Sequence, residues 1–422
     1  MKVENLLQTL NQINWDFSDY SSTKYPLDLN SIPWYPATFP APIPKFLIAL
    51  LTNQGDIVLD PFGGKGTTAV ESIKQNRQFI YNDLNPFAYD IANNIFHIME
   101  FCGNNKDVIT GIYNEDTLIL INKNRTNKVD EYEGKNFEEI LKYYPDGFLS
   151  RLANFNIKED VILWYHVDTL IELLDIYEHL LSQAKEQSYF VRKFALISIL
   201  KETSSQRGHF TYVTDNCTPK KISYYNAISA YFAMLERIKL AFDDFLKQYY
   251  SVNEKNNILS LINKSQIYQG DARKLDWIND NSVDLVVTSP PYLCAQDYVK
   301  TMRLTNFFFP TEDFKSSVAN EIGSRSRRNG NPSVVVYDFY SAMNDVISEV
   351  NRVLKSKKYF CLIVGQGKGK ITQNYDTVSD LSNLIINNHG FNEIFRTRRR
   401  ISYKVVRVGG VDYEEIIIFK KK

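Results

Sequence analysis

The chain has 422 residues, 44% hydrophobic, 14% aromatic and 23% charged, proportions of a folded globular protein that exclude a disordered or low-complexity one. Lys and Arg number 49 and Asp and Glu 49, a net charge of zero, so a nucleic-acid contact requires a local basic cluster rather than an overall basic excess. No run approaches the length of a membrane span, Met1-Lys2-Val3-Glu4-Asn5 lacks an apolar signal core, and Cys102, Cys217, Cys294 and Cys361 show no C-x-x-C spacing, so a soluble cytoplasmic protein without zinc or disulfides is expected.

In chain order, residues 1 to about 40 end in Trp34-Tyr35-Pro36-Ala37-Thr38-Phe39-Pro40, where repeated prolines exclude helix and predict an extended arm. A short helix follows over 44–51. The apolar run Asp56-Ile57-Val58-Leu59 then reads as a buried parallel strand and leads into Asp60-Pro61-Phe62-Gly63-Gly64-Lys65-Gly66-Thr67-Thr68. A helix over 67–76 and a strand over 79–82 ending at Asp83 complete one βαβ unit. Residues 103–135 are polar and rich in Asn and Lys. Amphipathic helices follow near 137–144, 167–185, 188–203 and 223–249, the last with Tyr231, Leu235, Ile238, Phe242 and Phe245 at helical spacing, a stripe read as core packing.

Strands resume at 266–269, before Gly270-Asp271-Ala272, and at 283–287, before Thr288-Ser289-Pro290-Pro291-Tyr292. A long irregular stretch over 293–337 contains Gly323-Ser324-Arg325-Ser326-Arg327-Arg328-Asn329-Gly330. Then come a helix over 338–354, a strand over 359–364 and a helix over 377–388. Two β-rich runs, 394–408 and 413–420, flank Gly409-Gly410-Val411-Asp412, a hairpin signal. The expected fold is a Rossmann-like, mostly parallel α/β sheet with a C-terminal antiparallel hairpin. Residues 1–102 carry the arm and first half of the core, 103–262 an inserted helical lobe, and 263–422 the second half.

Both conspicuous loops lie at the carboxyl ends of strands, the edge where open α/β sheets bind ligands. Gly63, Gly64 and Gly66 let the backbone turn sharply before a helix amino end, and Asp83, at the end of the next strand, can accept from both hydroxyls of a ribose. Lys65 is out of position for a P-loop, and the G-x-G-x-x-G spacing of a NAD site is absent. Asp271 either accepts from the exocyclic amine of an adenine or caps a following helix. In Ser289-Pro290-Pro291-Tyr292 the two prolines remove N–H donors, so the Ser289 hydroxyl and nearby carbonyls form an acceptor surface suited to an NH₂ group; Tyr292 offers a ring face for stacking a base. Arg325, Arg327 and Arg328 are candidate nucleic-acid contacts, as is Arg207 beside Gly208-His209 in the lobe, while further basic residues cluster at Arg396, Arg398, Arg399, Arg400, Lys404 and Arg407. The histidines have no metal-binding spacing.

On these segments the chain resembles the amino-methyltransferases that methylate exocyclic nitrogens of DNA bases. The resemblance covers roughly the catalytic half. Asp60 to Thr68, with Phe62, Gly63, Gly64, Gly66, Thr67 and Thr68, is similar to that family's S-adenosylmethionine loop; Ser289 to Tyr292 is similar to its catalytic motif. Pro36 to Pro40 resembles a cofactor-clamping segment, which assigns Thr38 and Phe39; Asp83 matches the ribose carboxylate, and Asp271 with Ala272 the adenine contact. The family implies S-adenosylmethionine as cofactor, double-stranded DNA as substrate and a restriction endonuclease as functional partner. Ser at the head of the motif resembles N4-cytosine enzymes, with N6-adenine, an RNA base N-methyltransferase or a silent DNA-binding protein of the same fold as alternatives. The cysteines follow Phe101, Asn216, Leu293 and Phe360, not proline, which disfavours C5-cytosine chemistry. The insertion between the ribose strand and the Gly-Asp-Ala strand departs from the family's usual place for a target-recognition domain.

Overall fold

The computed structural model describes residues 3–17, 28–32, 35–36, 38–104, 108–123, 129–206, 218–249, 252–367, 369–401 and 413–422. Seven strands form one sheet: β1 (Ile57–Asp60), β2 (Gln78–Asp83), β3 (Gln266–Gln269), β4 (Val283–Thr288), β5 (Leu354–Gly365), β6 (Phe391–Arg400) and β7 (Tyr413–Lys421). Their spatial order is β3-β2-β1-β4-β5-β7-β6. The first five run parallel, and β7 inserts antiparallel between β5 and β6. This is the expected Rossmann-like sheet with a closing antiparallel pair; the proposed turn at 409–412 lies outside the described residues.

Side-chain alternation assigns each layer. In β4, Leu285 and Val287 face helices Val3–Gln12 and Pro42–Leu51, meeting Leu6, Leu10, Ile43 and Leu47. Val286 points the other way, with Phe360 and Leu362 of β5, against Val346, Val350, Leu381 and Ile385 of helices Pro332–Val353 and Thr377–His389. Strand β4 is buried along its whole length, which is why it reads as an apolar run interrupted only by Asp284, a buried carboxylate paired with Lys355 and Lys358. Strands β1 and β4 are neighbours, with Val58 opposite Leu285 and Leu59 opposite Val286. Here the strand order reverses, so the loops leaving them diverge and open a crevice at the carboxyl edge.

Several segments differ from expectation, among them helices Pro86–Asn104 and Val252–Lys264, which were not expected. The arm begins with a helix, Val3–Gln12, because its prolines start only at Pro26; Leu6 and Leu10 are buried on one stripe, and the Trp15 indole N–H donates to Leu10 O at 3.1 Å. Within the polar stretch 103–135, Val108–Leu120 is a helix whose inward positions are Ile109, Ile112, Asp116 and Leu120. A carboxylate in that stripe hides the apolar periodicity. The stretch 293–337 contains helices Arg303–Phe308 and Phe314–Asn320, and the following helix begins at Pro332 rather than 338. Proline suits the first helical position, where its missing N–H has no partner to lose, and the Asn331 side chain caps the turn through Ser333 N at 3.0 Å.

Helices Val108–Leu120, Val167–Ser182, Tyr189–Leu200 and Ala227–Tyr249 share an apolar cluster with helix Pro86–Asn104. Asp116 is its polar centre. It accepts from His179 Nε2 and Arg192 Nε, both at 2.9 Å, and from the Tyr231 hydroxyl at 2.7 Å. Burial pushes its carboxyl up, but the bonds from His179 and Arg192 outweigh this and hold it below the usual carboxylate range. Arg237 extends from helix Ala227–Tyr249 to Ser31 O at 3.0 Å, tying the helices to the N-terminal arm. Among the described residues no helix is long and apolar enough to cross a membrane, and no His, Cys, Asp and Glu group could hold a metal. Replacing Asp116 with Ala leaves Arg192 buried without its main counter-charge, and urea unfolding should register a loss of about 3–5 kcal/mol; a loss under about 1 kcal/mol would show that the network contributes little.

Candidate active site

The glycine loop rests on β2. The Tyr81 hydroxyl donates to Gly64 O at 2.6 Å, Gly63 N to Asn82 O at 2.9 Å, and Gly64 N to Asp83 Oδ2 at 2.8 Å. A Cβ at Gly63 would lie 2.2 Å from the Tyr81 ring, so only glycine fits there. Gly66, at φ +89°, makes the left-handed turn into helix Thr67–Lys74. The Asn82 side chain donates to Pro61 O at 3.1 Å and Gly270 O at 3.0 Å, joining the loops after β1 and β3. Asp83 is half-buried beside these loops, and burial raises its carboxyl to about 6 against the pull of the Asn85 and Gly64 N–H groups.

Asp60 sits behind the loop. One oxygen accepts from the Thr68 hydroxyl at 2.7 Å; the other accepts from the Thr288 hydroxyl at 2.6 Å and Phe62 N at 3.1 Å. It is 3% exposed, and burial raises its carboxyl to about 6 although all three donors lower it. The carboxylate therefore clamps the glycine loop to the end of β4, immediately before Ser289. Ser289 is half-buried, with its Oγ 3.4 Å from the Tyr292 hydroxyl.

Tyr292 does not offer the free ring face expected of a stacking platform. It is 9% exposed and packs in the apolar cluster of Leu293, Ile322 and Phe339, while its hydroxyl donates to Glu414 at 2.8 Å. The loop at 320–330 folds back onto this motif. Cys294 N donates to Gly323 O at 2.8 Å, Arg325 N to Gln296 O at 3.0 Å, and Ser326 N to Asp297 at 2.9 Å. Gly323, at φ +67°, sits where a Cβ would meet Tyr292 O at 3.1 Å. Residues Arg325–Asn329 form a 3-10 turn beside the motif; Arg327 pairs with Asp338 and Arg328 is exposed. Arg207 lies outside the described residues.

The remaining assignments divide. Asp271 caps a turn rather than a helix, through Arg273 N at 3.0 Å, and its carboxylate also accepts from the Arg273 guanidinium. Ala272 is buried in the adjoining core. Thr38 is exposed, its hydroxyl donating to Tyr35 O at 3.2 Å, and Phe39 packs against the N-terminal cluster. Tyr35, unassigned by sequence reasoning, lies over the loop instead: its ring is 3.4 Å from the Cβ position of Gly64, and its hydroxyl accepts from Asn85 at 3.0 Å. Its place in the Pro-rich segment before the loop was the only sequence signal. Three arginines of β6 are matched by acids, Arg396 and Arg398 with Glu415 and Arg399 with Glu414, so these three do not form an open basic stripe; Lys404 and Arg407 lie outside the described residues.

The residues at the carboxyl edge fit a nucleoside cofactor. The Thr67 hydroxyl at the helix amino end and Asn82 Oδ1 are buried without hydrogen-bond partners. Asp83 has received one N–H on each oxygen and retains a lone pair on each.

Residues 4–94 match the family described as DNA methylase, the N6/N4 methyltransferase group. The type II methyltransferase M.PvuII of Proteus hauseri is 38% identical over 88 residues, 20% of this chain and 25% of that protein. M.MjaII of Methanocaldococcus jannaschii is 20% identical over 434 aligned positions, covering 89% of this chain and 78% of that one. This chain spans 16 to 25% of the length of the curated relatives it matches at 38% identity or more. Among solved structures, a SAM-dependent methyltransferase of Methanosarcina mazei aligns with 92% of this chain and 99% of its own, at 10% identity and a TM-score of 0.31.

Proposed function

We infer, from a chain whose residues 4–94 match the N6/N4 methyltransferase family of DNA methylases, that the protein moves a methyl group from S-adenosylmethionine to an exocyclic amino nitrogen of a DNA base, N4 of cytosine in particular. One observation carries the reading: Asp60 holds Thr68, in the first turn of the helix after the glycine loop, and Thr288, the last residue of β4 before Ser289, on one carboxylate, so a cofactor site and an amine-accepting site share one crevice. The choice of cytosine rests on Ser289 at the head of the motif, and N6 of adenine is the alternative within the family.

S-adenosylmethionine, when bound, would supply an electrophilic methyl on a sulfonium sulfur and leave as the neutral thioether S-adenosylhomocysteine, while the methylated nitrogen gives up one proton to solvent. Asp83 would hold its ribose hydroxyls, the backbone of Gly63 to Gly66 with Thr67 its amino-acid end, and the Asp271–Ala272 turn its adenine end. Ser289 Oγ and the Pro290 carbonyl accept from the two N–H groups of the target amine, which withdraws the nitrogen lone pair from ring conjugation and aims it outward. Positioning and fixed dipoles are the source of catalysis. The base leaves the duplex to reach the crevice, since its amine is otherwise paired. Arg325, Arg327 and Arg328, on a turn anchored to the catalytic loop, contact the DNA backbone. Arg327 exchanges the exposed Asp338 for a phosphate at little cost, since such surface pairs are worth at most about 1 kcal/mol. A partner restriction endonuclease belongs to the same reading.

Incubation of duplex DNA with methyl-labelled S-adenosylmethionine, followed by digestion to nucleosides, should yield labelled N4-methylcytosine. Ser289→Ala should lower turnover with cofactor affinity unchanged. Labelled N6-methyladenine would overturn the cytosine assignment, and label in RNA alone the DNA one. Cofactor affinity should also depend on pH. Ribose hydroxyls donate to the charged form of Asp83, whose carboxyl stands at about 6 in the free protein, so binding is strongest above pH 6 and weakens by up to about tenfold per pH unit below it. Calorimetry at pH 7.5 and pH 5 checks this: the acidic measurement should show weaker binding with release of a proton, and Asp83→Asn should remove both effects.

A further inference from the structure

Behind the Ser-Pro-Pro-Tyr loop a polar chain leads from Ser289 through Tyr292 to Glu414. The Tyr292 hydroxyl donates to Glu414 Oε1 at 2.8 Å, and Ser289 Oγ lies 3.4 Å from the same phenolic oxygen. Glu414, near the start of β7, pairs with Gly365 of β5 on one side and Arg399 of β6 on the other. It therefore stands at the carboxyl edge, level with the two loops of the site. The Glu414 and Arg399 side chains are 12% and 6% exposed, with Arg399 Nε 3.3 Å from Glu414 Oε2. Neither Glu414 Oε2 nor Arg399 Nε and Nη1 has a hydrogen-bond partner. The two strands hold the charges side by side without a fork, so the carboxylate has a buried counter-charge and keeps Oε1 for Tyr292.

The direction of the chain follows from proton counting. An ionised carboxylate only accepts, and a phenol has one proton. Burial, followed by the nearby Glu414 charge, pushes Tyr292 well above the usual tyrosine range, so the phenol keeps its proton. That proton is committed to Glu414. The contact between Ser289 and Tyr292 can then be made only by the Ser289 proton.

We propose that Glu414 is a positioning residue that sets this direction, Ser289 O–H to Tyr292 O–H to Glu414, so that Ser289 turns lone pairs alone toward the crevice. The proposal rests on the inferred transfer to an exocyclic amine and explains how a hydroxyl, able to donate or accept, is confined to accepting. A base with an amino group at the reacting position meets an acceptor. A base with a carbonyl there meets lone pair against lone pair and is excluded, because an unpaired polar group in a closed site is costly.

Glu414→Gln tests the idea with little change of shape. Its amide can donate to Tyr292, turning Tyr292 toward Ser289 and the Ser289 proton into the crevice. Turnover on DNA should fall by about 10–100-fold, the size of effect of outer partners on the groups they orient, with KM for DNA and the dissociation constant of S-adenosylmethionine within about twofold. In a Tyr292→Phe background, where the chain is already cut, Glu414→Gln should change turnover by less than about twofold. An equal loss in both backgrounds, the signature of a merely structural role, would overturn the proposal, as would unchanged turnover in the single variant. A second readout needs no activity: with tyrosines labelled at the ζ-carbon, the Tyr292 resonance of the full chain should shift on Glu414→Gln. If the wild-type protein transfers no methyl group while this resonance responds, the inferred reaction fails and the hydrogen-bond chain stands. If the protein methylates DNA and the resonance is indifferent, the chain fails.

Discussion

Three donors converge on the carboxylate of Asp60, and the geometry of the crevice depends on them. Asp60 ends β1 at the point where the strand order reverses, so the loops after β1 and β4 leave in different directions and share no continuous backbone. The Thr68, Thr288 and Phe62 contacts bring those loops onto one group. Burial alone would favour neutralising the acid, and the donors work against this, leaving it at about 6. A buried acid in that balance is costly as a structural ornament; it is understandable as the joint between two half-sites.

The same device recurs along the carboxyl edge. Asp297 takes Ser326 N and the Ser324 hydroxyl, fixing the arginine-bearing turn to the segment that follows the Ser-Pro-Pro-Tyr motif. Glu321 takes Tyr298 N and Val299 N, at 2.7 and 3.2 Å, from that same segment. Glu414 takes the Tyr292 hydroxyl. Each acid satisfies donors from a different stretch of chain, which holds irregular backbone in place without regular secondary structure. The sheet provides only the platform; these carboxylates set where the loops stand relative to one another.

The parts legible in the sequence are those governed by local rules. β1 and β4 are short apolar runs ended by special residues, Gly64 and Gly66 make the sharp turn their residue type allows, and the last strand announces itself through aromatic and β-branched content. What stayed hidden depends on contacts between distant residues. Helix Val108–Leu120 carries Asp116 where an apolar residue would be expected, and only His179, Arg192 and Tyr231 make that acid tolerable. Tyr35 and Glu414 reach the site from segments far from the motifs they touch, Glu414 from β7 and Tyr35 from the arm. Tyr292, read as a stacking surface from its place after two prolines, is packed into the core by Ile322 and Phe339 from a loop and helix that local spacing could not place beside it. The basic run of β6 misled at Arg396, Arg398 and Arg399, because the acids that pair with them lie across a strand.

If Asp60 makes one site of two loops, its two threonine partners should be energetically coupled in the reaction although one begins the helix after the first loop and the other ends the strand before the second. The direct measurement is a double-mutant cycle of Thr68→Val and Thr288→Val on kcat/KM for methyl transfer to DNA. A coupling of about 0.5–3 kcal/mol is expected for residues sharing one network. Simple additivity of the two losses, within about 0.3 kcal/mol, would mean that the cofactor loop and the catalytic loop work independently and that Asp60 is not their joint.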